Sequence, residues 1–170
     1  MSGSFRDEFV ELFNGQFHRL YRYMDRACGD PELAADIAQE TFVKLYQRGA
    51  LPDTPGAWLV TVATNLLRNA RTTRARRSRL LKVVPEAETF ADRPVSPAHA
   101  TESRELRRRV RAALDQMPER ERQLLLLRAE GYSYKEIAGA LNLQEASVGT
   151  LLARAKRIFR DIYEDKSNAS

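Results

Sequence analysis

A run of arginines near the middle of the 170-residue chain carries the clearest chemical signal in the sequence. Between Arg68 and Lys82 there are seven basic residues and no acidic one. Cations this close together repel one another, and a phosphate backbone relieves that repulsion while counterions are released. A solvated basic helix face is the alternative interpretation, but the local excess of charge favours contact with phosphate.

A second stretch, from Tyr132 to Phe159, has the pattern of two helices joined by a tight turn. Ser133 and Glu136 have the spacing of a capping box, in which each side chain bonds to the other residue's backbone at a helix start. Asn142 can adopt the left-handed conformation that ends a helix. The next helix carries basic residues from Arg154 onward. This pattern is typical of a helix-turn-helix that binds DNA, although any antiparallel helical hairpin shares it.

The residues needed for catalysis or metal binding do not occur together in this sequence. There are two histidines, neither beside a residue that could act as a nucleophile, and a single cysteine, Cys28. These are too few ligands for structural zinc, and one cysteine excludes an intrachain disulfide. There is no Gly-rich phosphate loop. We therefore expect neither an enzyme nor a cofactor or small-molecule substrate.

The charge of the chain is unevenly distributed. The net charge is +5, yet the first sixty residues hold nine acidic and six basic residues. A basic segment within such a chain favours a polyanionic partner. No apolar run has the length of a membrane span, and the amino terminus lacks the apolar core of a signal peptide. We expect a cytoplasmic protein.

Apolar residues spaced by three and four predict an all-α fold of two small helical domains. Two prolines and a glycine between residues 51 and 56 predict a loop before a helix that starts at Ala57. Three prolines within residues 83–100 predict a mobile linker, with Pro97 near the start of the next helix. The last residues, from Lys166, should fray. The predicted boundaries are 5–82 for a helical bundle, 83–100 for the linker and 101–165 for a helix-turn-helix domain.

The order of these features resembles the bacterial sigma factors of the extracytoplasmic-function (ECF) group, within the sigma-70 family. The motifs that carry the resemblance are DIAQETFVKLY, AWLVTVATNLLRNARTTRARR and LDQMPERERQLLLLRAEGYSYKEIAGALNLQEASVGTLLARAKR. The resemblance covers about residues 5–163 and implies two domains, σ2 and σ4. It also implies the partners: core RNA polymerase, through its clamp helices and flap; promoter DNA, both duplex and single-stranded; and an anti-sigma factor.

The resemblance implies two surfaces in σ2. The loop from Gln47 to Gly56 matches the family's specificity loop, which receives a base flipped from the −10 element, with Tyr46 flanking it. In the next helix, Asn can read base edges and Arg can neutralise phosphate. Trp58 begins an apolar stripe, which favours the core over stacking on DNA. The implied residues are Asp36, Gln39, Glu40 and Phe42 for the clamp helices, and Asp53, Thr54, Trp58, Asn65, Arg68, Asn69, Arg71, Arg74, Arg76 and Arg77 for the −10 element.

In σ4, the resemblance implies that the second helix of the helix-turn-helix enters the major groove of the −35 element. The chain departs from the common pattern at Gly149, where many members carry a basic residue, and at Leu151, where many carry Arg. Among Leu124 to Leu127, most should be core, and one or two could meet the flap. The implied −35 residues are Glu145, Ala146, Ser147, Gly149 and Thr150 near base edges, with Arg154, Lys156 and Arg157 at phosphates.

These observations favour a sigma factor that reads −35 duplex and opens the −10 element. Two other interpretations stay open at this point. A stand-alone helix-turn-helix transcriptional regulator would bind duplex DNA without polymerase. A helical adaptor that binds only protein would show no salt-dependent affinity for DNA.

Overall fold

The computed structural model describes residues 3–81 and 97–169. Within these ranges all regular structure is helical, which confirms the predicted all-α fold. Of the predicted linker, residues 83–96 lie outside the described ranges, and residues 97–100 form the first turn of a helix. The helices are α1 (Phe5–Cys28), α2 (Pro31–Arg48), α3 (Pro55–Leu81), α4 (Pro97–Gln116), α5 (Glu119–Ala129), α6 (Tyr134–Leu141) and α7 (Glu145–Asn168).

Local capping chemistry sets the boundaries of α1 to α3. The chain leaves α1 and α2 through Gly29 and Gly49, whose φ angles of 71° and 76° lie in the left-handed region that favours glycine. The Asp30 side chain accepts hydrogen bonds from the first amides of α2. The third helix begins at Pro55, two residues before the predicted start at Ala57, because proline suits a first helical turn.

The predicted helix-turn-helix is formed by α6 and α7. Ser133 and Glu136 make both bonds of the capping box, at 3.1 and 3.0 Å. Asn142 ends α6 in the left-handed conformation, with φ 55° and ψ 52°. The expected fraying from Lys166 does not occur over residues 166–168, which continue α7, and the Lys166 ammonium donates to the Ala112 carbonyl at 3.4 Å.

The two groups of helices share one core. Side chains of α1 to α3, such as Leu20 and Leu59, and side chains of α5 to α7, such as Leu127 and Ile137, belong to a single continuous buried cluster. The contact is made where α3 packs against α6 and α1 packs against α5. Among the described helices, none combines the length and apolar character needed to cross a bilayer.

Candidate nucleic-acid and polymerase interfaces

The polar face of α2 is exposed as a single surface. Asp36, Gln39 and Glu40 are all exposed, and their spacing of three and four places them on neighbouring turns. Phe42 differs, because its side chain is only 2% exposed and meets the rings of Phe9 and Phe13 edge-on. The predicted role of Phe42 therefore needs a correction: it supports this face from the core and offers no surface to a partner.

An exposed apolar strip beside this face was missed at the sequence level. Val43 and Tyr46 of α2 are 52% and 55% exposed, and Val10 and Phe13 of α1 lie exposed as well. Phe13 and Tyr46 both pack against the ring of Phe9, and exposed apolar area of this kind marks surfaces for partners. Val43 follows Gln39 by four residues and extends the polar face of α2, which was predicted to bind the clamp helices and is called the docking face below. Helix spacing alone could therefore have identified Val43.

The loop before α3 is partly anchored by the protein. Asp53 is exposed, whereas Thr54 is half-buried and its carbonyl accepts a 3.1 Å bond from the Trp58 amide. Trp58 is half-buried and packs against the core, as its apolar stripe favoured. Tyr46, at the other end of the loop, packs its ring 5.3 Å from that of Phe9, so it leans on α1.

The side of α3 that was predicted to face DNA is exposed along its length, and it adjoins the polar face of α2. Asn65, Arg68, Asn69 and Arg76 share one side by helical spacing, and all are exposed. A surface groove separates α2 from α3. Its walls include Glu40 and Lys44 from α2 and Asn69, Arg74 and Arg77 from α3.

Three of the α3 arginines already have protein acceptors. Arg71 donates to the Ala27 carbonyl at 3.2 Å, Arg74 lies 3.7 Å from an Asp30 oxygen, and Arg68 lies 3.5 Å from a Glu119 oxygen. The side chains of Arg68 and Arg74 are more than half exposed. Exposed ion pairs contribute only about 0–1 kcal/mol. These arginines can therefore exchange their protein acceptors for phosphate at little cost.

The start of α7 presents a polar surface on a well-packed helix. Glu145, Ala146 and Thr150 are exposed, and Ser147 and Gly149 are half-buried. The opposite side is anchored by residues buried in the core. Arg154, Lys156 and Arg157 are exposed and make no hydrogen bond or ion pair to any described residue. The buried anchors are Val148, Leu152 and Ala155.

The two departures from the family pattern have different structural settings. Leu151 is half-buried and packs against the core, which explains an apolar residue there. Gly149 has no such requirement, since a Cβ added to it would lie 3.5 Å from the Tyr134 ring, an ordinary van der Waals distance. Of the four consecutive leucines, Leu124, Leu126 and Leu127 are buried, while Leu125 packs on the core and is half-buried, so Leu125 alone keeps surface that the flap could meet.

Comparison with protein families decides among the three interpretations. Residues 13–77 match the family described as Sigma-70 region 2, and residues 107–158 match that described as Sigma-70, region 4. The sigma factor CarQ of Myxococcus xanthus is 30% identical over 165 residues, which cover 94% of this chain and 89% of CarQ. This chain belongs to the ECF sigma factors of the sigma-70 family. Sigma factors of this family direct RNA polymerase to promoters.

Other relatives agree with this assignment. The sigma-H factor of Pseudomonas aeruginosa is 34% identical to this sigma factor over 155 residues, 84% of this chain and 76% of the relative. The ECF sigma factor SigE of Mycolicibacterium smegmatis is 28% identical over 154 residues. That match covers 89% of this chain but 60% of SigE, so the chain spans less than two thirds of that relative's length.

Proposed function

We propose that this sigma factor binds core RNA polymerase through α2, opens and reads the −10 element with α3 and its preceding loop, and reads −35 duplex with α7. It acts in the cytoplasm as an initiation factor and catalyses no reaction itself. The observation that carries the proposal is the groove between α2 and α3, whose walls include Glu40 from the docking face and Asn69 from the DNA-facing side. A strand held on α3 would lie directly beside the bound polymerase.

The docking face fits the clamp helices of the polymerase in two ways. Asp36 and Glu40 offer carboxylates to basic side chains, and Val43 adds apolar area at the same place. Phe42 contributes indirectly by fixing the position of the helix from beneath. Charge complementarity of this kind speeds association and sets the orientation of the bound helix.

On the −10 side, exposed carboxamides and guanidiniums have separate tasks. Asn65 and Asn69 can hydrogen-bond to base edges, while Arg68 and Arg76 on the same side of α3 neutralise phosphate. The exposed Asp53 and the half-buried Thr54 line the loop that would accept a flipped base. Extruding a base costs a few kcal/mol, which stacking and pocket contacts must offset.

On the −35 side, the first turns of α7 face the major groove, and the later cations hold phosphates. The base-facing residues are polar or small, so they can approach base edges closely. The flap and an anti-sigma factor are further partners that the family implies. The flap was expected to meet one or two of the leucines of α5, and of these Leu125 is half-buried while the other three are buried.

Run-off transcription with purified core polymerase and a promoter library tests the proposal. The wild-type chain should confer promoter-specific initiation. The Asp36→Ala/Glu40→Ala variant should bind core at least tenfold more weakly, equivalent to about 1.4 kcal/mol, with unchanged helical circular dichroism.

The matched control is Glu164→Ala/Asp165→Ala, which removes two exposed carboxylates from the far end of α7. It should bind core as the wild type does. Failure of the folded wild-type chain to initiate at any promoter would refute the sigma function. Unchanged core affinity of the α2 variant would refute the docking face alone.

A further inference from the structure

The C-terminal end of α7 packs against α4 and leaves a surface groove between the two helices. The groove has a volume of about 360 Å³, within the range of clefts that bind small molecules. Three basic side chains and one carboxylate line it, so positive charge is in excess. The lining includes Glu105, Arg108 and Arg109 from α4, and Tyr163, Lys166 and Ser167 from α7.

Arg109 connects the two walls of this groove. Its guanidinium donates to the Ser167 hydroxyl oxygen and lies 5.1 Å from the centroid of the Tyr163 ring. A hydroxyl and an aromatic ring are both neutral, and among the residues that the structure describes no carboxylate pairs with Arg109. A guanidinium has five N–H donors in a planar fork that matches the oxygens of a phosphate. Arg109 is therefore placed to bind an anion.

The other two cations of the groove can contribute to the same anion. Arg108 lies 2.5 Å from Glu105, but the two side chains are 79% and 52% exposed. Exposed pairs of this kind are weak and are screened by salt, so Arg108 can exchange its partner for a phosphate. Lys166 is half-buried, and its ammonium donates to the Ala112 carbonyl of α4 at 3.4 Å. A cation that is already held in place loses less conformational freedom when it binds.

Ser167 is the residue of the groove to which a phosphate can be attached covalently. Its side chain is exposed, and its hydroxyl donates to the Tyr163 carbonyl at 3.0 Å while it accepts from Arg109. It lies in the last turn of α7, and helix ends near a chain terminus open readily, so a modifying enzyme can reach it. A phosphate on Ser167 Oγ would form directly beside the Arg109 guanidinium.

We propose that the groove between α4 and α7 is a phosphate site, in which Arg108, Arg109 and Lys166 bind the phosphate oxygens. The phosphate comes from one of two sources with the same chemistry: a small free anion such as a nucleoside polyphosphate, or Ser167 itself after modification.

The covalent source requires a protein kinase and a nucleoside triphosphate. Ser167 Oγ forms a bond to the γ-phosphorus, and the bond from that phosphorus to the β–γ bridging oxygen breaks. The nucleoside diphosphate leaves, and the hydroxyl proton passes to solvent. Two negative charges then stand on a side chain that was neutral.

A bound phosphate would connect the first and last helices of the σ4 part. Arg109 belongs to α4, whereas Lys166 and Ser167 belong to α7, so an anion held by both sides bridges the two helices. Charge-assisted hydrogen bonds of this kind order a segment and dock it on its neighbour. Glu164 and Asp165 oppose the anion only from a distance, because they are exposed and do not line the groove. Phosphate should therefore stabilise the packing of α4 on α7.

Calorimetric titration of the full chain tests the free anion. The probes are inorganic phosphate, tripolyphosphate and ATP at physiological ionic strength. Because the arginines of α3 also attract anions, the comparison needs variants of equal charge. Arg109→Gln/Lys166→Gln removes two cations of the groove. Arg107→Gln/Arg160→Gln removes two exposed cations of the same helices that do not line it.

At least one probe should bind the wild type with a Kd below about 1 mM, and the groove variant at least about tenfold more weakly. The Arg107→Gln/Arg160→Gln control should stay within about twofold of the wild type, a difference of less than 0.3 in log Kd. Circular dichroism and the melting temperature without anion check that both variants are folded.

Incorporation of phosphoserine at position 167 through an expanded genetic code tests the covalent source. By differential scanning calorimetry, the phosphorylated chain should melt about 2–4 °C above the unmodified chain, because new charge-assisted hydrogen bonds join α4 to α7. In an Arg109→Gln background, the phosphorylated and unmodified chains should melt at the same temperature. This comparison removes any effect of the added charge that does not pass through Arg109.

The two experiments together identify the source of the phosphate. Binding that only the groove variant loses identifies a site for a small anion. A thermal shift that depends on Arg109, without binding of any probe, identifies Ser167 as the acceptor. If the groove variant binds every probe as its control does and no shift depends on Arg109, the phosphate site is overturned. None of these measurements uses polymerase or promoter DNA, so that outcome would leave the proposed function untouched.

Discussion

The two helices proposed to read the promoter differ in whether their basic side chains already contact protein acceptors. Arg71 and Arg74 of α3 already contact protein oxygens, whereas Arg154 and Arg157 of α7 make no hydrogen bond or ion pair to a described residue. A cation of α7 gains its full interaction with phosphate, while one of α3 must first give up a protein acceptor. Because those acceptors are exposed contacts that contribute only about 0–1 kcal/mol, equal charge should contribute slightly less to DNA affinity on α3 than on α7.

The same two helices also differ in how they are supported. In α7, the basic residues flank Ala155, which is fully buried, so the core holds the helix where it would contact DNA. In α3, the last buried residue is Leu67, and the arginines follow it on a segment that projects beyond the core. The arginines of α3 are therefore positioned mainly by the helix that carries them. The cations of α7 are positioned by the packing of that helix against the core.

The largest expected effect tests this difference in support. Leu152→Ala in α7 removes a side chain that is 3% exposed and should lower the free energy of unfolding by about 2–5 kcal/mol. Leu80→Ala at the end of α3, where the side chain is 83% exposed, should change it by about 0.5 kcal/mol or less. Urea denaturation followed by circular dichroism measures both. Similar losses would show that the end of α3 is packed as firmly as α7.

The next effect concerns the cations themselves. Arg154→Ala/Arg157→Ala should weaken binding to −35 duplex and reduce the salt slope by about 2, close to one for each phosphate that is no longer neutralised. Arg71→Ala/Arg74→Ala, measured in the holoenzyme on a single-stranded −10 probe, should reduce the slope by less than about 1.4, the limit for two phosphates of a single strand. Salt titrations of both complexes make the comparison. If the α3 substitutions reduced the salt slope as much as the α7 substitutions, or more, the proposed difference between the two helices would be contradicted.

The smallest effect concerns Gly149. Its added Cβ would meet only the Tyr134 ring at an ordinary distance, so Gly149→Ala should stabilise α7 by about 0.5–1 kcal/mol through helix propensity. Affinity for −35 duplex should stay within about twofold, because the Cβ faces the protein. Gly15→Ala in α1 provides the reference for the propensity gain. A larger loss of affinity would mean that DNA approaches the α7 backbone at this position.

Helix boundaries were predicted well because they depend on neighbours in sequence. Asp30 with its following proline and the pair Ser133 and Glu136 are local signals, and each is used as the pattern indicated. Phe42 shows the opposite case. It follows Glu40 by two residues, which places it on the far side of the helix, but its role was transferred from the resemblance. Periodicity alone would have put it in the core.

The contact between the two groups of helices, including the Arg19–Glu136 ion pair, could not be predicted. Arg19 and Glu136 are separated by 117 positions, and neither periodicity nor capping chemistry relates residues so far apart. Glu136 even had a sufficient local explanation as part of a capping box. Its second contact follows from the way the surfaces of α3 and α6 fit, which depends on residues such as Gly139 whose role is visible only when both helices are in place.

The Glu136 side chain takes part in two contacts, the capping box at the start of α6 and the ion pair with Arg19 of α1. A substitution at Glu136 can change one contact without the other. Oε1 accepts a 3.0 Å bond from the Ser133 amide that starts α6 and a longer, 3.4 Å bond from Arg19 Nη1, while Oε2 lies 2.6 Å from Arg19 Nη2 of α1. Glutamine would keep the first contact, since it also completes a capping box, and would remove the charge from the second. A single replacement at Glu136 can thus weaken the contact between α1 and α6 while leaving the start of α6 intact.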